Sequence, residues 1–307
     1  MMRGYLFAAI AVLIWSGFIL VSRFGGIGPL LPADVIAIRY FTCSVLVLPV
    51  WLFFFRFNLL NPKLITAALI GGLGYALCAF QGFQTAPASH AAILLPGMLP
   101  LIISLISYFS GAEAFTPIKW LGITLISSGI FCLFWFEILT SDGVQGGQLW
   151  FVGAAFCWAI FSVLIKRWQI SPWQATVSLS VVTAVVYLPF YAVSMSKNIS
   201  LDHWQHIALQ SVYQGFLATI VQMLCYVQAV RRIGPANMGS MMALVPLLAG
   251  FSAVALYDEP LGIPLLVCLL LVSCGVWIAN IQRNGHKEKR AGHSSLRSAQ
   301  AHDQAGQ

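Results

Sequence analysis

The chain has 307 residues, of which 59% are hydrophobic and only 8% charged, with 16 Lys and Arg against 9 Asp and Glu and a mean hydropathy of +0.86. A soluble domain carries about 25% charged residues, so this chain cannot cover a water-facing surface, which excludes an ordinary soluble enzyme, a nucleic-acid binder and a disordered protein. The pI near 9.2 reflects charge scattered over short loops and a tail rather than a basic face, and a polytopic membrane protein is the class that remains.

A helix needs about 20 mostly apolar residues to cross the hydrocarbon core. Ten candidate spans follow in chain order: 4–22, 34–55, 64–82, 90–109, 118–138, 149–165, 174–195, 206–229, 237–257 and 261–281. The first resembles a signal peptide in outline, but no small-x-small cleavage site follows and further apolar segments come at once, so it is read as a retained span. Breaks such as Gly25–Pro32, Arg56–Lys63, Lys166–Pro172 and Arg231–Pro235 carry Pro, Gly or charge. Most are short, so successive helices are antiparallel neighbours. The seven cysteines, Cys43, Cys78, Cys132, Cys157, Cys225, Cys268 and Cys274, all fall in apolar runs without metal spacing. They read as small buried side chains rather than disulfides or ligands.

Orientation follows from the basic residues. With the N-terminus in the cytoplasm, Arg3, Arg56, Lys63, Lys119, Lys166, Arg167, Arg231, Arg232, Arg283, Lys287, Lys289, Arg290 and Arg297 lie inside. Only Arg23 and Lys197 lie outside, and Arg39 falls within a span. Thirteen against two is a strong positive-inside bias, and it requires an even number of spans. The expected location is the inner (plasma) membrane, multi-pass, with both termini cytoplasmic. Residues 284–307 are polar and free of aromatics, and a disordered tail is expected there.

The two halves of the chain match. Ile14-Trp15-Ser16-Gly17-Phe18 aligns with Cys157-Trp158-Ala159-Ile160-Phe161 at an offset of 143, and Arg23 then meets Lys166. Leu77-Cys78-Ala79-Phe80-Gln81 aligns with Leu224-Cys225-Tyr226-Val227-Gln228 at 147, and Pro100, Glu113 and Gly129 align with Pro246, Glu259 and Gly275 at 146. Each half holds five spans. Five is odd, so the second half enters the membrane upside down. The predicted fold is all-α and polytopic: ten transmembrane helices in two inverted five-helix repeats, residues 1–143 and 144–283, then the cytoplasmic tail. Inverted repeats recur in secondary transporters because the halves can exchange inward-open and outward-open roles about a midplane site.

With these features in place, the sequence resembles the drug/metabolite transporter superfamily, specifically proteins with two EamA-type repeats. The resemblance rests on the Trp-bearing first span of each repeat and the Arg39-Tyr40 pair early in the second span. It rests further on the helix with Pro100 or Pro246 at mid-span. That helix runs into a Glu-bearing loop (Ser110-Gly111-Ala112-Glu113, Leu256-Tyr257-Asp258-Glu259) and then a span with Gly129 or Gly275. It covers about residues 4–282. It implies a ten-helix carrier whose cavity is lined mainly by the first, third, fourth, sixth, eighth and ninth helices. No counterpart of Arg39 is evident near Val182.

The nine acidic residues, Asp34, Glu113, Glu137, Asp142, Asp202, Asp258, Glu259, Glu288 and Asp303, all fall at span ends, in loops or in the tail. A mid-membrane carboxylate is costly and kept for function. Its absence disfavours proton-coupled export of a cationic drug and favours a neutral or zwitterionic solute. Arg39 either attracts a substrate carboxylate or, the preferred reading at this point, snorkels outward or pairs with Asp34 and helix-end carbonyls.

The candidate substrate-binding set is Trp15, Tyr75, Gln81, His90, Trp158, Gln214, Gln222, Tyr226 and Asn237. Trp15 and Trp158 hold matching mid-span places, away from the headgroup belts where Trp collects. Paired indoles there either flank an apolar substrate group or pack inside the bundle. His90 opens span four beside Ser89, where an imidazole couples a proton, binds a carboxylate or only caps the helix. Gln214, Gln222 and Tyr226 share a broad face of span eight with Ser211, while Tyr75 and Gln81 lie on span three. Amides at that depth need partners, supplied by a wet cavity or by neighbouring helices. Asn237 opens span nine as His90 opens span four. Pro96, Pro100 and Pro246 interrupt the helical ladder, as static bends or as gates.

No HExxH, GxSxG, Walker A or GxGxxG motif is present. No enzyme activity, catalytic residue, metal or cofactor is therefore expected, and the chain cannot itself use ATP. The expected partners are a small-molecule substrate and the lipid bilayer, with no nucleic acid; a homodimer through span five or ten is left open. The resulting expectation is a secondary transporter, an exporter, of a small neutral or zwitterionic metabolite such as an amino acid, working by alternating access. Two rivals stand beside it. A membrane-embedded enzyme acting on a lipid-like substrate would need an inward ionisable pair, for which only His90 and Arg39 are candidates. A non-transporting scaffold would tolerate free replacement of Trp15, His90 and Gln222.

Overall fold

The computed structural model describes residues 2–109, 116–140, 146–260 and 262–280, save for a few side chains, that of Asn237 among them. Glu113, Asp142 and the tail lie outside the described residues. Among the described residues the regular structure is entirely helical, since in lipid a helix satisfies its own backbone groups. The spans are α1 Met2–Ile27, α2 Pro32–Phe55, α3 Pro62–Thr85, α4 Ala88–Phe109, α5 Pro117–Thr140, α6 Gly146–Arg167, α7 Pro172–Ser194, α8 Leu201–Ala229, α9 Met238–Tyr257 and α10 Ile263–Ala279. Large apolar side chains such as Leu13, Phe53, Phe54, Phe131 and Val185 stand on the outer surface, where a bilayer rather than water is the natural solvent.

Four spans begin a residue or two before the apolar pattern predicts, each on a proline: Pro32, Pro62, Pro117 and Pro172. The missing N–H costs nothing in a first turn, and the fixed φ suits a helix start. Local caps complete the ends. Asn61 Oδ1 accepts from Lys63 N at 3.0 Å, and Ser171 and Gln174 exchange reciprocal bonds of 3.2 and 3.0 Å. A second difference concerns Arg231–Pro235, expected as a loop. Helical backbone runs through it from Gln222 to Met242, and the break comes at Ala243. Pro246 explains the position: without an N–H it cannot donate to the Met242 carbonyl, so the ladder resets and resumes at Leu244 with the proline in its first turn.

Two spans widen at matched places. Leu69–Gly74 in α3 and Ser211–Val221 in α8 are π-helical, and the 147-residue offset carries the first onto 216–221, the second half of the other. Side chains take up the carbonyls near these wider turns. Tyr40 Oη donates to Gly72 O at 2.9 Å, Thr183 Oγ1 to Ala68 O at 3.3 Å and Thr219 Oγ1 to Gln214 O at 2.7 Å.

Packing follows the repeat. α1 lies on α8 as α6 lies on α3; α9 lies on α1 as α4 lies on α6; α2 meets α8 as α7 meets α3. The pairs α2–α7, α4–α9 and α5–α10 map onto themselves. Exchanging first-repeat and second-repeat helices preserves these neighbour relations, as a two-fold axis in the membrane plane implies. Among the described residues, α1–α3 and α4–α10 meet without comparable α6–α8 and α5–α9 contacts. Close backbone approach holds α5 to α10, where a Cβ on Gly275 would meet the Gly122 carbonyl oxygen at 2.8 Å.

Candidate functional site

The crossing helices enclose a cavity of about 330 Å³, within the usual range for small-ligand sites. Three repeat-related pairs face it. Trp15 and Phe18 on α1 correspond to Trp158 and Phe161 on α6, and Tyr75 on α3 corresponds to Gln222 on α8. The wall is thus made twice from one pattern, once in each orientation. Ser162, Ile165 and Lys166 extend it along α6, Ala218, Met223 and Tyr226 along α8, and Arg39 joins from α2. Helices α1, α3, α6 and α8 take part as the family resemblance implies. α4 and α9, expected to do the same, contribute no side chain to this wall among the described residues.

Among the described residues the cavity runs from an exposed mouth to a buried floor. Lys166 and Tyr226 are exposed at its mouth, while Phe18, Arg39 and Tyr75 are buried at its floor. An aromatic chain runs up one side: Phe18 to Tyr75 at 6.4 Å between centroids, Tyr75 to Trp158 at 5.0 Å, Trp158 to Phe161 at 5.1 Å. Such faces suit an apolar group or a cation. Among the described residues the wall carries two cations, Arg39 and Lys166, and no carboxylate.

Beyond the floor the bundle is sealed. Phe18, Phe80, Phe83 and Phe151 pack edge to face, with Phe83 and Phe151 at 4.9 Å. Behind them Arg23 Nη1 donates to Phe83 O at 2.8 Å, and Tyr257 Oη donates to Leu20 O at 2.5 Å. Glu259 closes the layer: its two carboxylate oxygens accept the backbone amides of Ala88 at 2.6 Å and Ser89 at 2.9 Å. Those amides open α4, where a helix has free donors and a positive dipole end.

Arg39 does not reach Asp34. That carboxylate is taken by Leu31 N (2.8 Å), Asn198 N (3.1 Å) and Tyr191 Oη (2.5 Å). Arg39 instead turns inward, donating from Nη1 to Gln214 Oε1 at 3.3 Å, with its Nε buried and unbonded.

Of the residues singled out from sequence, Trp15, Tyr75, Trp158, Gln222 and Tyr226 border the cavity. Gln214 is fully buried behind Arg39, its Nε2 donating to Ser22 Oγ at 2.9 Å. Gln81 bonds Gln84 at 3.2 Å away from the cavity wall. His90 is buried beside α6, where Gln148 Nε2 donates to its Nδ1 at 3.0 Å, and it does not border the cavity. Asn237 lies in helical backbone, its side chain outside the described residues. Helix α4 continues through Pro96 and Pro100, and Pro246 is buried at the restart of α9. Phe18, Phe161 and Lys166 were missed as cavity residues, although they lie inside or beside the matched first-span segments; Arg39, the lone intramembrane cation, was weighed as a carboxylate site but read by preference as structural.

A family model described as the EamA-like transporter family matches residues 2–135 and 145–281. The chain belongs to this family. The uncharacterized transporter YoaV of Bacillus subtilis (strain 168) is 25% identical to this EamA-like transporter over 282 residues, covering 87% of this chain and 92% of that protein. The threonine/homoserine exporter RhtA of Salmonella typhimurium (strain SL1344) is 24% identical over 221 residues, 70% of each chain. RhtA of Escherichia coli (strain K12) is 26% identical over 205 residues, 65% of this chain and 64% of that one. A solved crystal structure superimposes with a TM-score of 0.59 at 18% identity, covering 91% of this chain and 96% of the other, so the fold is shared. The EamA-like chain is a multi-pass membrane protein related to transporters.

Proposed function

We propose that this protein is a secondary exporter that carries a small neutral or zwitterionic metabolite, an amino acid in the first instance, across the inner membrane by alternating access. The observation that carries the reading is the cavity: walled by repeat-related residues, open past Lys166 and latched at the far end by Glu259 and Arg23. A cavity made twice from inverted halves can open to the other side by exchanging their conformations. The basic-residue count supports a cytoplasmic side for the open mouth and both termini, and with that orientation this conformation is the one that loads an exported solute. A volume of about 330 Å³ admits one small metabolite, and a wall without carboxylates is a poor site for a cationic drug. Two relatives are threonine/homoserine exporters at 24% and 26% identity, which supports the amino-acid class. Purified protein in liposomes, assayed by counterflow across amino acids, amines and sugars, tests it. Saturable amino-acid movement is expected, and a folded preparation that moves no solute would overturn the reading.

A further inference from the structure

We infer that Arg39 is the seat of a carboxylate on the transported solute, making a carboxylate the group this cavity recognises; the inference rests on the transport reading above. The guanidinium presents five donors in a planar fork. Its side chain is 4% exposed and forms part of the cavity floor, yet Nε is unbonded and Nη1 has only a long bond to a neutral amide oxygen. A side chain meant only to snorkel would carry its head to the interface. This one turns away from the interface, and its neighbouring acid Asp34 is already saturated by three donors.

The surroundings orient the fork rather than neutralise it. Gln214 is fixed by donating to Ser22 Oγ, which leaves its Oε1 facing Arg39. The Phe18 and Tyr40 rings lie 5.5 and 5.7 Å from the guanidinium carbon and hold its plane. A buried charge with oriented neutral neighbours and no counter-ion is completed by an anion that arrives with the ligand. A carboxylate fits the planar fork with two parallel bonds. The rest of the molecule then extends toward the mouth along Tyr75, Trp158 and Trp15, whose faces take an apolar side chain or an α-ammonium group. An amine lacking the carboxylate leaves the Arg39 fork unpaired and meets no counter-charge in the described wall.

Full-length protein in liposomes provides the test. Counterflow of L-threonine and L-phenylalanine is competed by the free acids, by L-threoninamide and L-phenylalaninamide, and by 2-phenylethylamine. The free acids are expected to compete at least tenfold more strongly than the amides or the amine. Arg39→Gln should erase that difference by weakening the acids alone, and Arg39→Lys should restore part of it. The comparison on wild type needs no variant, so a misfolded Arg39→Gln still leaves it decided. Equal competition by acid and amide, or acid affinity unchanged in a folded Arg39→Gln, overturns the inference. Movement of amides or amines alone upholds transport and overturns the Arg39 role. Movement of nothing removes both.

Discussion

Glu259→Gln isolates the latch that closes the far end of the cavity. In the wild type each carboxylate oxygen accepts one backbone amide, from Ala88 at 2.6 Å and Ser89 at 2.9 Å. Glutamine keeps a single acceptor oxygen and turns an NH₂ donor toward the second amide. One charge-assisted bond is lost and the other becomes neutral. Bonds to charged groups contribute roughly 1.5–3 kcal/mol and neutral ones roughly 0.5–1.5. Because Glu259 is only partly buried, solvent recovers some of the loss, and about 2 kcal/mol is a fair net change. That corresponds to about thirtyfold in the ratio of unlatched to latched molecules. Hydrogen exchange read by mass spectrometry is the assay, since with fast reclosing the rate follows the open population. Amides at the start of α4 should exchange about thirtyfold faster, while those of α7 stay unchanged. Unaltered exchange at Ala88 and Ser89 in a folded variant would refute the claim that Glu259 holds this end shut.

Three further substitutions test other parts of the description. His90→Gln should leave the pH profile of transport unchanged, because the imidazole bonds Gln148 outside the cavity; a shifted profile in proteoliposome uptake would restore a proton-coupling role. Gly72→Ala should lower the melting temperature by about 5 °C, because a Cβ there meets Thr183 Oγ1 and the Leu179 side chain in the α3–α7 contact; thermal unfolding in detergent checks it. Gln214→Glu supplies Arg39 with an internal carboxylate at the site of the present amide. It should raise thermal stability and weaken competition by free acids about tenfold, whereas a merely structural Arg39 predicts the first change without the second.

The architecture was legible because its determinants are long-range in composition and short-range in pattern. Apolar runs of about 20 residues, the basic-residue asymmetry and the matched Trp, Glu and Gly positions are enough to place ten spans and two repeats. Helix starts were missed where they fall on prolines, which interrupt the apolar count while being well suited to a first turn. The repeat made part of the site legible, as at Trp15 and Trp158, while Tyr226, whose counterpart Ala79 does not border the cavity, was reached only through its helix face. Arg39, set in sequence five residues from Asp34, invited a local pairing that Tyr191 and Asn198 pre-empt from 157 and 164 residues away. His90 and Gln81 misled for the converse reason: a polar group in a span must find a partner, and helix packing supplied Gln148 and Gln84 rather than a cavity.

The cavity joins a symmetric wall to an asymmetric floor, and the combination has a mechanical consequence. Trp15 and Trp158, Phe18 and Phe161, and Tyr75 and Gln222 exchange places under the repeat, so inverting the two halves rebuilds an equivalent wall facing the opposite side. Arg39 has no such partner, because Val182 stands at its repeat-related position. In the proposed transport cycle, a solute bound to Arg39 by its carboxylate keeps one orientation throughout, acid end toward Glu259 and remainder toward Lys166. In the cycle proposed above, access alternates around it by loosening the Arg23–Phe83 and Glu259–α4 contacts, without the solute having to turn over inside a cavity of about 330 Å³ that leaves little room for it to do so.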